Sequence, residues 1–370
     1  MSTKPDDHRY MQRALELAKL GQGTVEPNPM VGCVLVREGK VVGEGWHQEF
    51  GSSHAEVLAL EAAGDAARGA TAYVTLEPCG HTGKTPPCSH ALIDAGISKV
   101  MVGCLDPNSL VAGKGVAQIR SAGIEVVEEI LVQEAAQLIA PFTKLVTKKR
   151  PWILAKWAMT LDGKLATRTG SSQWISGEMS RKAVHHLRGL VDAILIGRGT
   201  AVADDPLLTA RPAGPRTATR IVLDTQAVLP LDSKLVKSID DAPLLVAVAH
   251  DASERNCNAL EKQGAEILVL AGENETERLS GLLDELGRRQ MTNLLVEGGS
   301  HLLGSFFDMQ EIDEVHAFIA PKLIGGKNAP GVFTGLGLAE MTQALKLQNV
   351  HYEMLGDDMH VHGFVDQRDD

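Results

Sequence analysis

Apolar positions in the first part of the chain switch between two periods. Between Asp7 and Gly21, Met11, Ala14, Leu15 and Ala18 recur at helical spacing and predict an amphipathic helix. Met30 to Arg37 runs almost continuously apolar, and Glu38-Gly39-Lys40 closes a hairpin into Val41-Val42-Gly43-Glu44-Gly45. A helix is expected from Ser53 to about Ala63 and a strand from Thr71 to Leu76. The next helix opens at Pro87-Cys88 and stops at Gly96, because proline suits a first helical turn and glycine a helix end. A strand from Lys99 to Gly103 follows, then a helix ending at Gly123 ahead of Ile124-Glu125-Val126-Val127. Strands alternating with helices indicate a layered α/β domain, with its site in polar loops at the strand ends.

The pattern breaks and restarts. Pro141 to Arg150 reads as a joint, closed by the basic run Lys148-Lys149-Arg150-Pro151. Trp152 to Met159 then opens a new strand, and enough chain remains for a second core. The expected domains are 1–147 and 151–370. In the second, Asp192 to Ile196 and Asn293 to Glu297 read as buried strands. Each runs into glycines: Gly197-Arg198-Gly199-Thr200 after the first, Gly298-Gly299-Ser300-His301 after the second. Strand, glycines and a helix start make a phosphate cradle, because free N–H groups point at the anion. A tight turn without ligand is the plain alternative. Two such turns in one domain favour a dinucleotide, and Arg198 beside a ribose phosphate would favour NADPH over NADH.

Candidate chemistry concentrates in Ser53-His54-Ala55-Glu56, Thr75-Leu76-Glu77-Pro78-Cys79 and Pro86-Pro87-Cys88. One imidazole and two thiols, His54, Cys79 and Cys88, suffice for a zinc site with a position left for water. Zinc makes such a water nucleophilic near neutral pH. Glu56, two residues after His54, would carry protons to a leaving amine. This is the constellation of zinc nucleobase deaminases, although their usual P-C-x-x-C is stretched here by the insert Gly80 to Pro87. A thiol at a helix start has a lowered pKa, so Cys88 is expected as thiolate. Two plainer readings stand beside this one. Ser53-x-x-Glu56 also fits a capping box, and His81 or His90 could close a purely structural zinc site. Asn28 in Pro-Asn-Pro, His47 and Asp106-Pro107-Asn108-Ser109 would converge near the metal, although such residues also form turns unaided.

Composition narrows the partners. A net charge of −11 argues against nucleic acid, yet a few local cations can hold one small phosphate. No apolar run approaches a membrane span, and Met1 to His8 has no apolar signal core, so a cytoplasmic protein is expected. Five cysteines, two of them committed to metal, suit a reducing compartment. Cys33, Cys104 and Cys257 are expected to be inert.

The order of these blocks resembles the bifunctional deaminase–reductases of riboflavin biosynthesis over nearly the whole chain. In the first half the resemblance rests on Pro27 to Gly32, His54-Ala55-Glu56, Thr75 to Cys79, Gly83 to Cys88 and Asp106-Pro107-Asn108. In the second it rests on Met159 to Lys164, Trp174 to Gly177, Gly199-Thr200 with Ala203 to Pro206, and Val296 to Gly299. It implies a cytidine-deaminase-like three-layer α/β/α domain followed by a dihydrofolate-reductase-like α/β domain. It implies one Zn2+ per chain, NADPH, and a small phosphorylated diaminopyrimidinone that is first deaminated and then reduced from ribosyl to ribityl. By the same resemblance Asn28, His47, Lys84, Asp106, Asn108 and Ser109 hold the deaminase substrate. Ala158, Trp174, Thr200, Asp204, Gly298, Gly299 and Ser300 fall at the cofactor. Ser172, Arg188, Leu208, Arg211 and Glu297 fall at the reductase substrate. Arg188, on a helix expected from Ser180 to Gly189, and Arg211 suit a phosphate, since guanidinium binds it bidentately. Lys156 is the expected proton donor for the opening ribose, with Asp204 second. A homodimer through the second half is expected. The competing readings are a nucleoside or nucleic-acid deaminase with a non-catalytic C-terminal binding module, and a folate reductase.

Overall fold

The computed structural model describes residues 5–80, 87–108 and 111–366. The chain forms two compact units, Met1–Lys149 and Arg150–Asp370.

In the first unit, helix α1 (Pro5–Ala18) leads into the hairpin β1 (Gly32–Arg37) and β2 (Lys40–Trp46). Then follow α2 (Ala55–Ala63), β3 (Thr71–Leu76), α3 (Cys88–Asp94), β4 (Lys99–Cys104), α4 (Lys114–Ser121), β5 (Glu125–Val127), α5 (Val132–Leu138) and α6 (Ala140–Lys148). The five strands lie in the order β2-β1-β3-β4-β5. β1 is antiparallel to both neighbours, while β3, β4 and β5 run parallel. Alternate strand residues face opposite layers. Cys33, Leu35, Val74 and Val102 meet α2, α3 and α4, whereas Val34, Tyr73 and Met101 meet α1 and α5. The result is a three-layer α/β/α domain. α2 lies unusually close to β2, because a Cβ on Gly43 would stand 2.2 Å from the Ala59 carbonyl and one on Gly45 2.4 Å from that of Ala55. Two glycines in β2 therefore set the depth at which the metal-site helix sits.

Two sequence expectations need correction. The units do part within the stretch from Pro141 to Arg150, between Lys149 and Arg150, but most of that stretch is helix α6 rather than linker. Its Pro141 sits in the first turn, where a missing N–H costs nothing. The cap of α2 is His54 rather than Ser53, and no side chain caps it, so there is no capping box.

The second unit contains β6 (Trp152–Thr160), α7 (Glu178–Arg188), β7 (Ala193–Gly197), α8 (Arg198–Asp204), β8 (Thr219–Leu223), α9 (Lys234–Lys237) and β9 (Leu244–Ala249). It continues through α10 (Glu254–Glu261), β10 (Glu266–Leu270), α11 (Glu275–Arg288), β11 (Asn293–Val296), α12 (Ser300–Asp308), β12 (Glu314–Ala320), β13 (Leu347–Leu355) and β14 (Asp358–Val365). The nine strands lie in the order β10-β9-β8-β7-β11-β6-β12-β14-β13. Strands β10 to β12 are parallel, and β14 and β13 add an antiparallel edge. A parallel sheet covered on both faces needs apolar runs rather than alternation. Ala193 to Ile196 and Leu294 to Val296 are accordingly fully buried. Because β7 and β11 are neighbours, the glycine turns that follow them lie side by side.

Candidate active sites

Three elements deliver the first site. His54 precedes α2, Cys79 follows β3, and Cys88 is the first residue of α3. His54 Nδ1 lies 3.1 Å from Cys88 Sγ and 3.7 Å from Cys79 Sγ. Ligands around one tetrahedral zinc stand about 3.5 Å apart, given its usual bond lengths. The spacing and the soft donors fit that ion. Among the described residues, no fourth protein ligand joins this cluster. His90 is exposed, and His81 lies outside the described residues. The Cys88 thiol, then His54 and the Cys88 backbone N–H, act against burial to hold Cys79 down at about 4. Cys88 shifts upward instead, because its thiol donates to Cys79 and is buried. The helix-start effect expected for Cys88 therefore falls on its neighbour: the Cys88 N–H donates to Cys79 Sγ at 3.3 Å.

Glu56, in the first turn of α2, is buried beside these groups. Burial, and then the Cys79 thiolate, push its carboxyl up to about 7. That is the direction a proton carrier requires.

A cavity of about 450 Å³ opens over the site. Asn28, His47, His54, Glu56, Cys79, Asp106 and Asn108 all line it, so the expected residues are brought together. Lys84 and Ser109 lie outside the described residues. His47 Nδ1 meets the Ser53 carbonyl at 3.2 Å and so carries the proton. Its Nε2 then accepts from the Asn28 amide at 3.1 Å, which fixes that side chain at the cavity wall. Sequence reasoning missed two features here. Phe142 and Val146 line the cavity from α6, and their helix had been read as a joint. Glu77 is buried, and its carboxylate accepts the backbone N–H groups of Asp106, Gly113, Gly115 and Val116 at 2.8–3.2 Å. It thereby ties the Asp106–Asn108 loop and the start of α4 to the end of β3.

In the second unit, a cavity of about 520 Å³ lies at the two glycine turns. Ser172, Arg198, Thr200, Asp204, Gly299 and Ser300 line it. A Cβ on Gly299 would stand 3.3 Å from Thr200 Oγ1, so the turns approach closely. Gly197 and Gly299 cap α8 and α12, whose free N–H groups therefore face one space. Ser172 Oγ donates to Asp204 at 3.1 Å. Arg198 lies 3.8 Å from the buried Asp224. His301 of the second turn also lines this cavity, as do Thr225 and Glu275, which were missed. Backbone cradles carry a sequence signature, whereas scattered wall residues do not.

The other expected residues of this half stand apart from that cavity wall. Glu297 and Arg188 form a bidentate pair at 2.6 and 2.9 Å, and Lys156 Nζ lies 3.4 Å from Glu297. Burial alone would raise Glu297, but Arg188 and then Lys156 outweigh it and hold the carboxyl at about 2. Burial lowers Lys156. Arg211 meets His185 at 3.3 Å, and His185 faces Arg188 from the same helix. Ala158 lies near the end of β6, and Gly298 directly follows Glu297. Leu208 and Trp174 have contrasting settings. Leu208 packs its side chain into the core, so only its backbone, at φ 55°, could meet a ligand. Trp174 is 65% exposed and stacks under the Arg181 guanidinium at 4.7 Å.

Comparison with known proteins finds a family for each unit. Residues 4–104 match the cytidine and deoxycytidylate deaminase zinc-binding region, and residues 151–361 match the RibD C-terminal domain. The riboflavin biosynthesis protein RibD of Actinobacillus pleuropneumoniae is 44% identical over 95% of this chain and 94% of its own. That of Aquifex aeolicus (strain VF5) is 44% identical over 95% and 97%. The solved structure of Acinetobacter baumannii RibD, form 1, gives a TM-score of 0.85 at 37% identity, covering 98% of this chain and 99% of that one. A diaminohydroxyphosphoribosylaminopyrimidine deaminase/5-amino-6-(5-phosphoribosylamino)uracil reductase from Thermotoga maritima gives 0.83 at 36% identity, with the same coverage. On these similarities, and with a His–Cys–Cys cluster and a reductase domain in one polypeptide, the chain belongs to the RibD family of bifunctional riboflavin-biosynthesis deaminase–reductases.

Proposed function

We propose that the first unit hydrolyses the ring amine of a diaminopyrimidinone bearing a phosphoribosylamino group, and that the second unit then reduces the ribosyl chain to ribityl. The product would be 5-amino-6-(5-phosphoribitylamino)uracil. The observation that carries this reading is Glu56, buried against the His54–Cys79–Cys88 cluster on the floor of a cavity that Asn28 and Asp106 also line. When bound, zinc supplies an activated water and NADPH a hydride. Glu56 takes the water's proton and returns it to the departing ammonia. Asn28, fixed by His47, and the Asp106–Asn108 loop, fixed by Glu77, hold the ring.

In the second unit, the facing helix starts of α8 and α12 hold cofactor phosphates, with Thr200 and Ser300 beside them. Lys156, Arg188 and Arg211 outnumber the carboxylates Glu297 and Asp204 near them, and this cationic excess suits the substrate phosphate. Reduction adds a hydride to the anomeric carbon, breaks its bond to the ring oxygen, and needs one proton on that oxygen. Lys156 is assigned as that donor and Asp204 as second choice. If Lys156→Met reduces substrate at the parent rate across pH, the Lys156 assignment is wrong.

A homodimer through the second unit and a cytoplasmic location belong to the same proposal. Leu336, Met341 and Tyr352 in that unit are 96%, 88% and 70% exposed, the kind of surface a second copy would cover. Among the described residues, no helix is long and apolar enough to cross a membrane. Purified protein given the diaminopyrimidinone substrate should release ammonia without NADPH and oxidise NADPH only after that release. NADPH oxidation in the absence of ammonia release would exclude the proposed order.

A further inference from the structure

A second group of metal-type ligands lies in the other unit, away from either cavity wall. We propose that Glu314, His316 and His362 form a binding site for a borderline divalent transition cation such as Zn2+, Ni2+ or Co2+. The sheet register creates it. His316 on β12 and His362 on β14 are directly paired across two antiparallel strands. Glu314 lies two residues before His316 and therefore on the same face. One oxygen is the meeting point: Glu314 Oε1 lies 3.0 Å from His316 Nε2 and 2.8 Å from His362 Nε2. Neighbouring N and O ligands about 2.1 Å from one ion stand roughly 3.0–3.4 Å apart, so small side-chain adjustments admit a cation among these three atoms.

The surroundings favour the bound form. The side chains of Glu314, His316 and His362 are 14%, 7% and 24% exposed. Little water is left to compete, yet the His362 side remains open. The Glu314 carboxylate lies between the two imidazoles. Its other oxygen accepts from Trp152 Nε1 at 2.8 Å, which orients the carboxylate and leaves Oε1 for the cluster. Behind His316, its Nδ1 lies 3.2 Å from His360 Nε2. Metal-bound imidazoles usually have such an outer partner, which fixes ring and tautomer. The His316 and His362 rings stack within 13° of parallel, with centroids 4.4 Å apart. Two imidazoles and a carboxylate suit transition ions rather than Ca2+ or Mg2+, which take oxygen ligands.

The test uses untagged holoenzyme with its deaminase zinc, dialysed against Ni2+ and then freed of excess. The parent should retain one equivalent of nickel beyond the zinc, and its thermal midpoint should rise with Ni2+. His316→Gln/His362→Gln should lose that equivalent and the rise, with ammonia release unchanged. His351→Gln, on the exposed strand outside the cluster, should keep both. No extra equivalent in the parent would show a hydrogen-bonded cluster only. Equal retention in the double variant would show adventitious binding. Both outcomes overturn the proposal. Co2+ added to the parent gives a reading that needs no variant. Ligand-field bands without thiolate charge transfer are expected, and thiolate bands alone would place the ion at the cysteines and overturn the proposal.

Discussion

At the residue scale, the two carboxylates in the proposed chemistry have opposite environments. Glu56 has burial and a neighbouring thiolate pushing its proton on. Glu297 has Arg188 and Lys156 pulling its proton off. The first suits proton transfer, and the second suits a fixed anion that positions cations. Glu297→Gln leaves two buried cations without their partner, so it should destabilise the second unit by about 3 kcal/mol and impair reduction while sparing deamination. Calorimetry and separate assays of the two steps check this. The pH sign follows from linkage. The folded carboxyl titrates at about 2, against an ordinary 4.5. Its contribution is therefore fully present above about 4.5 and is lost as pH falls toward 2. The thermal midpoint of the second unit should drop over that window in the parent and more shallowly in Glu297→Gln. Parallel acid limbs would refute the assignment.

At the element scale, the first site depends on how closely backbone segments approach. Glu77 joins three of them by accepting four backbone N–H groups. Glu77→Gln loses charge-assisted acceptance and presents a donor to other donors. It should cost about 2–3 kcal/mol and raise the deaminase KM more than it lowers kcat, because Asp106 and Asn108 lose their anchor. An unchanged KM in a folded variant would separate the loop from substrate binding. A Cβ at Gly115 would stand 1.7 Å from the Pro78 carbonyl, so Gly115→Ala should displace α4 and lower zinc retention at Cys79, measurable by metal content.

These contacts mark what could be read from residues alone. In the first unit most helices and strands were legible because their apolar periods are regular, and β3 begins and ends where expected, whereas in the second unit β8 to β10 and β12 to β14 were not read at all. The zinc ligands were legible because the metal needs particular atoms at short range. Glu77 was visible in its motif, but its task was hidden, since its partners are backbone groups more than twenty-five residues away in sequence. Helix α6 was hidden because a proline and a basic run resemble a linker. The Glu314–His316–His362 cluster was hidden because cross-strand register is not written in local spacing.

At the scale of the whole molecule, each unit carries its own core and its own candidate site, so the two reactions should be separable. Removing zinc with a chelator should stop ammonia release yet leave NADPH oxidation on substrate that is already deaminated. The more direct measurement uses Glu56→Gln, whose zinc content should equal the parent's. With the diaminopyrimidinone substrate, ammonia release should fall by about 10²–10⁴-fold and NADPH oxidation should fall with it. With the deaminated pyrimidine, NADPH oxidation should match the parent. Ammonia release at the parent rate from that zinc-loaded variant would contradict the account.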